Sequence, residues 1–171
     1  MPIRDVRPSD SDRLRRITEV SFDRVYAFFA VRGLRRAWPL LVAEEGNVSI
    51  GFLEGRLFDG SPSIGYVYFV AVDPDARRRG IGHALVEQSL RRFAVRGATQ
   101  VFAAVPRESD ASIGLFASLG FGKIPRGVLW RWYRWRGLGV QMRMVLAPHE
   151  ALMARTFTDP ATSCLTEAAR L

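Results

Sequence analysis

Apolar residues along this chain change their spacing several times, and each change marks an element. Leu14, Ile17 and Val20 recur at helical intervals between Asp10 and Phe22, predicting a capped helix with those three side chains inward. A second helical stretch, Arg24 to Arg36, carries Val25, Phe28, Phe29 and Val31 and is ended by Pro39. Pro39–Glu45 and Ser49–Leu57 read as strands around Glu45-Gly46-Asn47, a hairpin signal. Ile64 to Val72 is apolar and uncharged, which predicts a buried strand. Val86, Leu90 and Phe93 then return to helical spacing, with Glu87, Arg91 and Arg92 on the other side. Gln100–Val105 reads as a second buried strand. It is followed by a helix that Ser109 or Asp110 can cap and that Gly120 can close in a left-handed conformation, with Ile113, Phe116 and Leu119 as its apolar contacts. Val140–Leu146 and Glu150–Phe157 predict a closing hairpin across Ala147-Pro148-His149. Residues 158–171 read as a tail after a domain spanning 1–157, with Asp159-Pro160 able to start a short helix.

The chemistry concentrates between the uncharged strand and the helix after it, at Arg77-Arg78-Arg79-Gly80-Ile81-Gly82-His83. A loop that opens a helix presents unpaired N–H groups and the positive end of the helix dipole to anions. Gly80 and Gly82 would let a phosphate approach the backbone closely. An ATP-type loop is excluded, because neither lysine nor hydroxyl follows Gly82; the dinucleotide fingerprint fails at Leu85, where its third glycine belongs.

Composition narrows the classes. A chain of 171 residues with 48% hydrophobic residues can bury one sizeable core. No window approaches a membrane span, and Met1-Pro2-Ile3-Arg4-Asp5 is no signal peptide, so a cytoplasmic location is expected. Cys164 is the only cysteine and His83 and His149 the only histidines, too few for a disulfide framework or a convincing metal site; none is predicted. The net charge of +8 invites acidic partners such as nucleic acid or the phosphates of a coenzyme, although net charge speaks to association rather than to fold.

Arg77-x-x-Gly80-x-Gly82, preceded by a hydrophobic strand and Val72-Asp73-Pro74, resembles the acetyl-CoA motif of the GNAT superfamily of N-acetyltransferases. The stretch Ser109 to Phe121 resembles the family's later helix with its Gly-Phe ending, and Ile3 to Asp12 its usual opening. The resemblance covers about residues 1–157 and is specific from Val70 to Phe121. It implies an α/β (α+β) fold: a mixed, mostly antiparallel sheet, splayed in the middle, with helices on both faces. It also implies acetyl-CoA as co-substrate and direct attack of an amine on the thioester. On that resemblance, the edge of Val70, Ala71 and Val72 holds the amide-bearing arm and supplies an N–H to the thioester carbonyl. Arg78, Arg79, Gly80, Ile81, Gly82 and His83 present N–H groups to the pyrophosphate, and Arg77 adds charge nearby.

The family's acid and base positions do not carry over. Its tyrosine aligns with Phe116, which has no hydroxyl, and its asparagine with Ser109, which keeps one donor. The glutamates used as bases align with Ala104 and Tyr66. Tyr66 and Ser109 are therefore the catalytic candidates, with Phe116 lining the thioester pocket and Glu108 a further base candidate. A strict alternation places Tyr66, Tyr68, Val70 and Val72 on one face, where tyrosines also serve as ordinary core. The segment Trp130 to Arg136 interleaves aromatic and cationic residues; acceptor-groove wall, packing or homodimer contact, and nucleic-acid or lipid surface all stay open for it. Trp132-Tyr133 tilts the acceptor towards a protein N-terminus, while small amines, aminoglycosides and internal lysines stay open. The competing function is a CoA-responsive binding module that holds RNA or a protein partner and catalyses little.

Overall fold

The computed structural model describes residues 1–23, 27–28, 37–58, 63–125, 127 and 149–157. Its strands are β1 (Ile3–Asp5), β2 (Leu40–Glu45), β3 (Val48–Phe58), β4 (Ser63–Val72), β5 (Ala98–Pro106), β6 (Gly122–Ile124) and β7 (Glu150–Thr156). Together they form one sheet in the order β1-β2-β3-β4-β5-β7-β6. Among the described strands, β4 and β5 are the one neighbouring pair that is parallel. They are joined through a helix, α2 (Ile81–Val95), in a crossover that returns the chain in its original direction. The β2–β3 connection is the opposite case. Gly46 and Asn47 both take positive φ, 55° and 62°, the two-residue turn whose twist suits an antiparallel hairpin.

Helices cover both faces. Leu14 and Ile17 of α1 (Ser11–Ser21) pack with Val42, Phe52 and Ala71 on one side. On the other side, Ile81, Leu85, Val86, Leu90 and Phe93 of α2 join Leu53, Val67, Val101 and Ala103, with Phe116 of α3 (Asp110–Ser118) and Phe121 closing the end of the cluster. The mixed, mostly antiparallel architecture expected from the sequence is the one observed.

Three expectations are corrected or extended. Val20 is 61% exposed rather than inward; Thr18 takes its place at 0%. At about 100° per residue, Thr18 lies ~40° from Leu14 around the helix and Val20 ~240°. The buried Thr18 hydroxyl donates to Leu14 O at 2.7 Å, so no polar group is orphaned. Strand β6 went unread, since three residues carry no periodicity. Glu150–Thr156 is a strand as expected, with β5 and β6 as its described neighbours; its expected hairpin partner, 140–146, lies outside the described residues. Most of the second helical stretch, the Trp130–Arg136 segment and the tail lie outside them as well. Among the described residues no helix is long and apolar enough to cross a membrane.

Candidate active site

The site begins with one surplus residue. Strands β3 and β4 pair from Phe58↔Ile64 to Gly55↔Val67 and resume at Glu54↔Phe69, so Tyr68 is the extra residue of a β-bulge. The parallel β4–β5 register ends at the same place, with Val67↔Ala103. Beyond it, β3 follows β4 as far as Gly51↔Val72, while β5 follows β7 to Pro106↔Glu150. The two central strands thus part at the bulge, and Val70, Ala71 and Val72 lie past the last β5 pairing.

The bulge also overturns the strict alternation expected from the sequence. Tyr66 and Tyr68 pack with Phe58, Ile64, Phe102 and Leu152, and Phe69 and Ala71 pack with the α1 cluster. Val70 and Val72 pack against the α2 cluster on the opposite face. One inserted residue in a period of two moves every later side chain across the sheet. Tyr66 and Tyr68 therefore do not share a face with Val70 and Val72.

Past Val72 the chain turns into the arginine–glycine loop. The Asp73 carboxylate accepts from Asp75 N at 3.1 Å and pairs with Arg13, fixing a single turn at Pro74–Ala76. Arg78 and Gly80 both adopt left-handed backbone, φ 60° and 76°, before α2 starts. Alternating hands of this kind curl successive N–H groups into a concavity suited to anions. After Arg77, whose N–H reaches Pro74 O at 3.4 Å, the next N–H with a backbone acceptor is that of Ala84, bonded to Gly80 O at 3.0 Å. A Cβ on Gly82 would lie 3.4 Å from Leu115 Cδ2 and 3.9 Å from Val70 Cγ1 and Val72 Cγ2. Gly82 thus faces the gap between the free end of β4 and α3, and the loop's N–H groups could hold an anionic group of a coenzyme there.

The three arginines are not equivalent. Arg77 Nε donates to Val72 O at 3.1 Å and its other end to Ser21 Oγ at 3.4 Å, bracing β4 against α1. Arg79 makes a two-pronged pair with Glu45, at 3.1 and 2.5 Å, which pulls the glutamate down and the guanidinium up from their ordinary pKa values. The pair is half exposed, and water screens such contacts. Arg78 sits at the backbone bend, and His83 is exposed on the first turn of α2.

The candidates for proton handling are placed as follows. Tyr66 is 2% exposed, with its ring edge-on to Tyr68 at 4.5 Å. Ser109 caps α3: its Oγ accepts from Ser112 N at 3.3 Å and donates to Ser112 Oγ at 2.8 Å. Phe116 is buried edge-on to Phe121 at 5.1 Å, on the α2 side of the sheet. Glu108 is exposed.

One residue was missed. Glu54 is 4% exposed, its Oε2 has no hydrogen-bond partner among the described residues, and burial pushes its carboxyl up to about 8 against a partial pull downward from Arg56. A signal existed. Phe52, Glu54 and Phe58 fall on one face of the strand by alternation, and a carboxylate at an inward position needs a reason.

The description "Acetyltransferase (GNAT) family" matches residues 10–121. L-2,4-diaminobutyric acid acetyltransferase of Nocardia farcinica is 38% identical over 79 residues, 46% of this chain and 41% of that protein. Mycothiol acetyltransferase of Amycolatopsis mediterranei is 35% identical over 97 residues, 51% of this chain and 32% of the other. The chain thus spans less than half the length of these curated relatives. Among solved structures, Ard1 of Thermoplasma volcanium superposes with a TM-score of 0.70 at 22% identity, covering 92% of this chain and 98% of that one. PaiA N-acetyltransferase of Thermoplasma acidophilum, in complex with coenzyme A, gives 0.69 at 13% identity, covering 91% and 98%. At these identities the structures speak for the fold. The family match, which takes in the bulge, the parting strands and the arginine–glycine loop, settles the lineage: the chain belongs to the acetyltransferase (GNAT) family.

Proposed function

We propose that this chain transfers the acetyl group of acetyl-CoA to the primary amine of a small molecule. The observation that carries the reading is the parting of β4 from β5 at the Tyr68 bulge, with the arginine–glycine loop at its mouth. Backbone N–H groups of Arg78 to His83 hold the pyrophosphate, and each charge-assisted bond contributes roughly 1.5–3 kcal/mol. The edge of Val70, Ala71 and Val72 carries the amide-bearing arm in the manner of an added strand. An N–H on that edge polarises the thioester carbonyl, where negative charge develops as the amine attacks. Val70 and Val72 stand on the α2 side of the sheet and Phe69 and Ala71 on the α1 side, so the acceptor and the coenzyme reach the same peptide edge from different faces.

The small-molecule acceptor is favoured over a protein N-terminus by the relatives, which are named as acetyltransferases of diaminobutyric acid and mycothiol. Trp132-Tyr133, which tilted the sequence towards an N-terminus, lies outside the described residues. Tyr66 and Ser109 keep structural duties, as aromatic core and helix cap, whatever they add to proton transfer.

Calorimetric titration of acetyl-CoA into the wild type and Gly82→Asp tests the cofactor site. The aspartate would push a carboxylate into the gap bounded by Val70, Val72 and Leu115. Binding should fall beyond detection while circular dichroism stays unchanged. Equal affinity in the two proteins would remove the loop from the assignment.

A further inference from the structure

We propose that Glu54 receives the ammonium group of the acceptor and takes its proton, which makes the acceptor a compact cationic amine presented on the α1 face of the sheet. This deepens the acetyl-transfer reading above and rests on it.

The placement is the argument. Glu54 stands opposite Phe69, one residue before Val70, at the bulge where β4 leaves β5. Adjacent strands lie about 4.8 Å apart, so a carboxyl on β3 needs to reach across only one strand to approach the thioester edge. Its surroundings are aromatic: Phe69 meets Phe22 of α1 edge-on at 5.3 Å, and Tyr68 lies beside Phe69 at 6.4 Å. Oε2 is buried without a hydrogen-bond partner among the described residues. A carboxyl kept dry with one oxygen unused is costly to the fold alone. That cost is offset when a cation supplies the missing bond, and aromatic rings around it add attraction for the same cation.

The neighbouring charges permit this. On β3 and the neighbouring part of β4 the titratable side chains are Arg56, Tyr66 and Tyr68; Arg56 is exposed, its guanidinium over the Phe58 ring at 5.6 Å, while Glu44 and Glu45 stand at the far end of β2, paired with Arg4 and Arg79. The residues that α1 buries against the sheet are Leu14, Ile17 and Thr18, with Val42 of β2 beside them; the charge it sends to the sheet is Arg13, which donates to Ser49 O at 3.1 Å and pairs with Asp73. The raised carboxyl is also suited to the work. Primary amines arrive protonated at neutral pH, and a base that titrates near neutrality is matched to removing that proton.

The step balances without a further reactant. The ammonium gives a proton to the Glu54 carboxylate, directly or through one water. The freed nitrogen lone pair forms the C–N bond at the thioester carbon, and the carbonyl oxygen takes up the displaced pair. That pair returns as the C–S bond breaks. The second nitrogen proton goes to the departing thiolate, and Glu54 passes its own proton to solvent. Acetylated amine, free thiol and one proton leave.

The test compares the wild type with Glu54→Gln and Glu54→Asp in the full chain. Acetyl transfer to 1,3-diaminopropane is followed from pH 6 to 9.5, acetyl-CoA affinity by calorimetry, and the Glu54 carboxyl by carbon-13 NMR with and without the diamine. Glu54→Gln should lose at least ~100-fold in acceptor kcat/KM and the pH limb that Glu54 governs, with acetyl-CoA affinity unchanged. Glu54→Asp should keep the limb at a reduced rate. The diamine alone should lower the Glu54 midpoint by about one pH unit or more in the wild type, a readout independent of the variants' folding. A Glu54→Gln rate within twofold of wild type with the same pH profile, or a midpoint that the diamine leaves in place, overturns the assignment while acetyl transfer stands. A wild type that binds no acetyl-CoA, or transfers acetyl to no amine, overturns the parent reading and this one with it.

Discussion

Alanine at Gly65 should destabilise the protein through a single ring. The Cβ it adds would lie 2.8, 2.9 and 3.0 Å from Cγ, Cδ1 and Cδ2 of Phe93, where carbon contacts settle at about 3.5–4.0 Å. Phe93 has little room to withdraw: it is fully buried, the Trp38 ring meets it edge-on at 5.9 Å, and Gly55 on the next strand approaches its far end. A Cβ on Gly55 would stand 2.9 Å from Phe93 Cζ. Two glycines on neighbouring strands thus form the slot that seats α2. Overpacking of this kind costs typically 1–3 kcal/mol, and we expect the upper half of that range. Phe93→Ala, which empties the slot, should cost ~3–5 kcal/mol. The informative variant is the double one, Gly65→Ala with Phe93→Leu, because the smaller side chain vacates the space that the new methyl needs. Urea unfolding of both singles and the double closes a mutant cycle. Coupling should be favourable by about 1 kcal/mol or more, beyond the ~0.5 kcal/mol within which independent sites add. Strict additivity would refute the slot. Since α2 carries the arginine–glycine loop, Gly65→Ala should also weaken acetyl-CoA binding, with recovery in the double variant.

Glu54 makes stability depend on pH. Its carboxyl rises from 4.5 to about 8 on folding, so the folded state is favoured most below about pH 4.5 and loses that advantage as pH climbs through 8. At about 1.36 kcal/mol per pH unit the gap is worth at most ~5 kcal/mol. Urea midpoints of Glu54→Gln should therefore overtake those of the wild type between pH 5 and 9, and parallel profiles would contradict this. Asp10 behaves oppositely. Arg4, at 2.7 and 2.9 Å, together with Arg7 N and Ser49 Oγ, holds its carboxyl well below the usual range. That stability is present above pH 3.8 and lost as pH falls towards the folded-state value. Arg4→Met should cost ~3–5 kcal/mol at pH 7 by stranding a buried carboxylate, and less at pH 2.5, where that carboxyl can take up a proton in the variant and the two unfolding midpoints should draw closer.

The sequence made some of this legible and hid the rest for physical reasons. The loop and its flanking elements could be read because their signal is local: an uncharged strand, a run of arginine and glycine, then helical spacing from Val86 to Phe93. The bulge could not, because register belongs to a pair of strands, and nothing in Tyr68 alone says that β3 will skip it. That one residue decided which face of the sheet each later side chain of β4 takes, and the tyrosines were misgrouped with Val70 and Val72 for that reason. The inward places of Leu14 and Ile17 followed from periodicity, but Val20 did not, since the buried arc was narrow enough for a threonine to complete it. The side-chain partners of Arg77 and Arg79 depend on Val72, Ser21 and Glu45 arriving from distant parts of the chain. Glu54 was the missed opportunity, a charge standing where alternation demanded an apolar side chain.

The central claim is acetyl transfer to a small amine at the edge of Val70 to Val72. Its most direct test is to incubate the purified chain with acetyl-CoA and a panel of acceptors, namely 1,3-diaminopropane, L-2,4-diaminobutyrate and a peptide with a free N-terminus, following thiol release and product mass together. The account predicts acetylated product from at least one of the two small amines, faster than from the peptide, and none with Gly82→Asp. Acetyl-CoA binding without transfer to any acceptor, or transfer confined to the peptide, would contradict it.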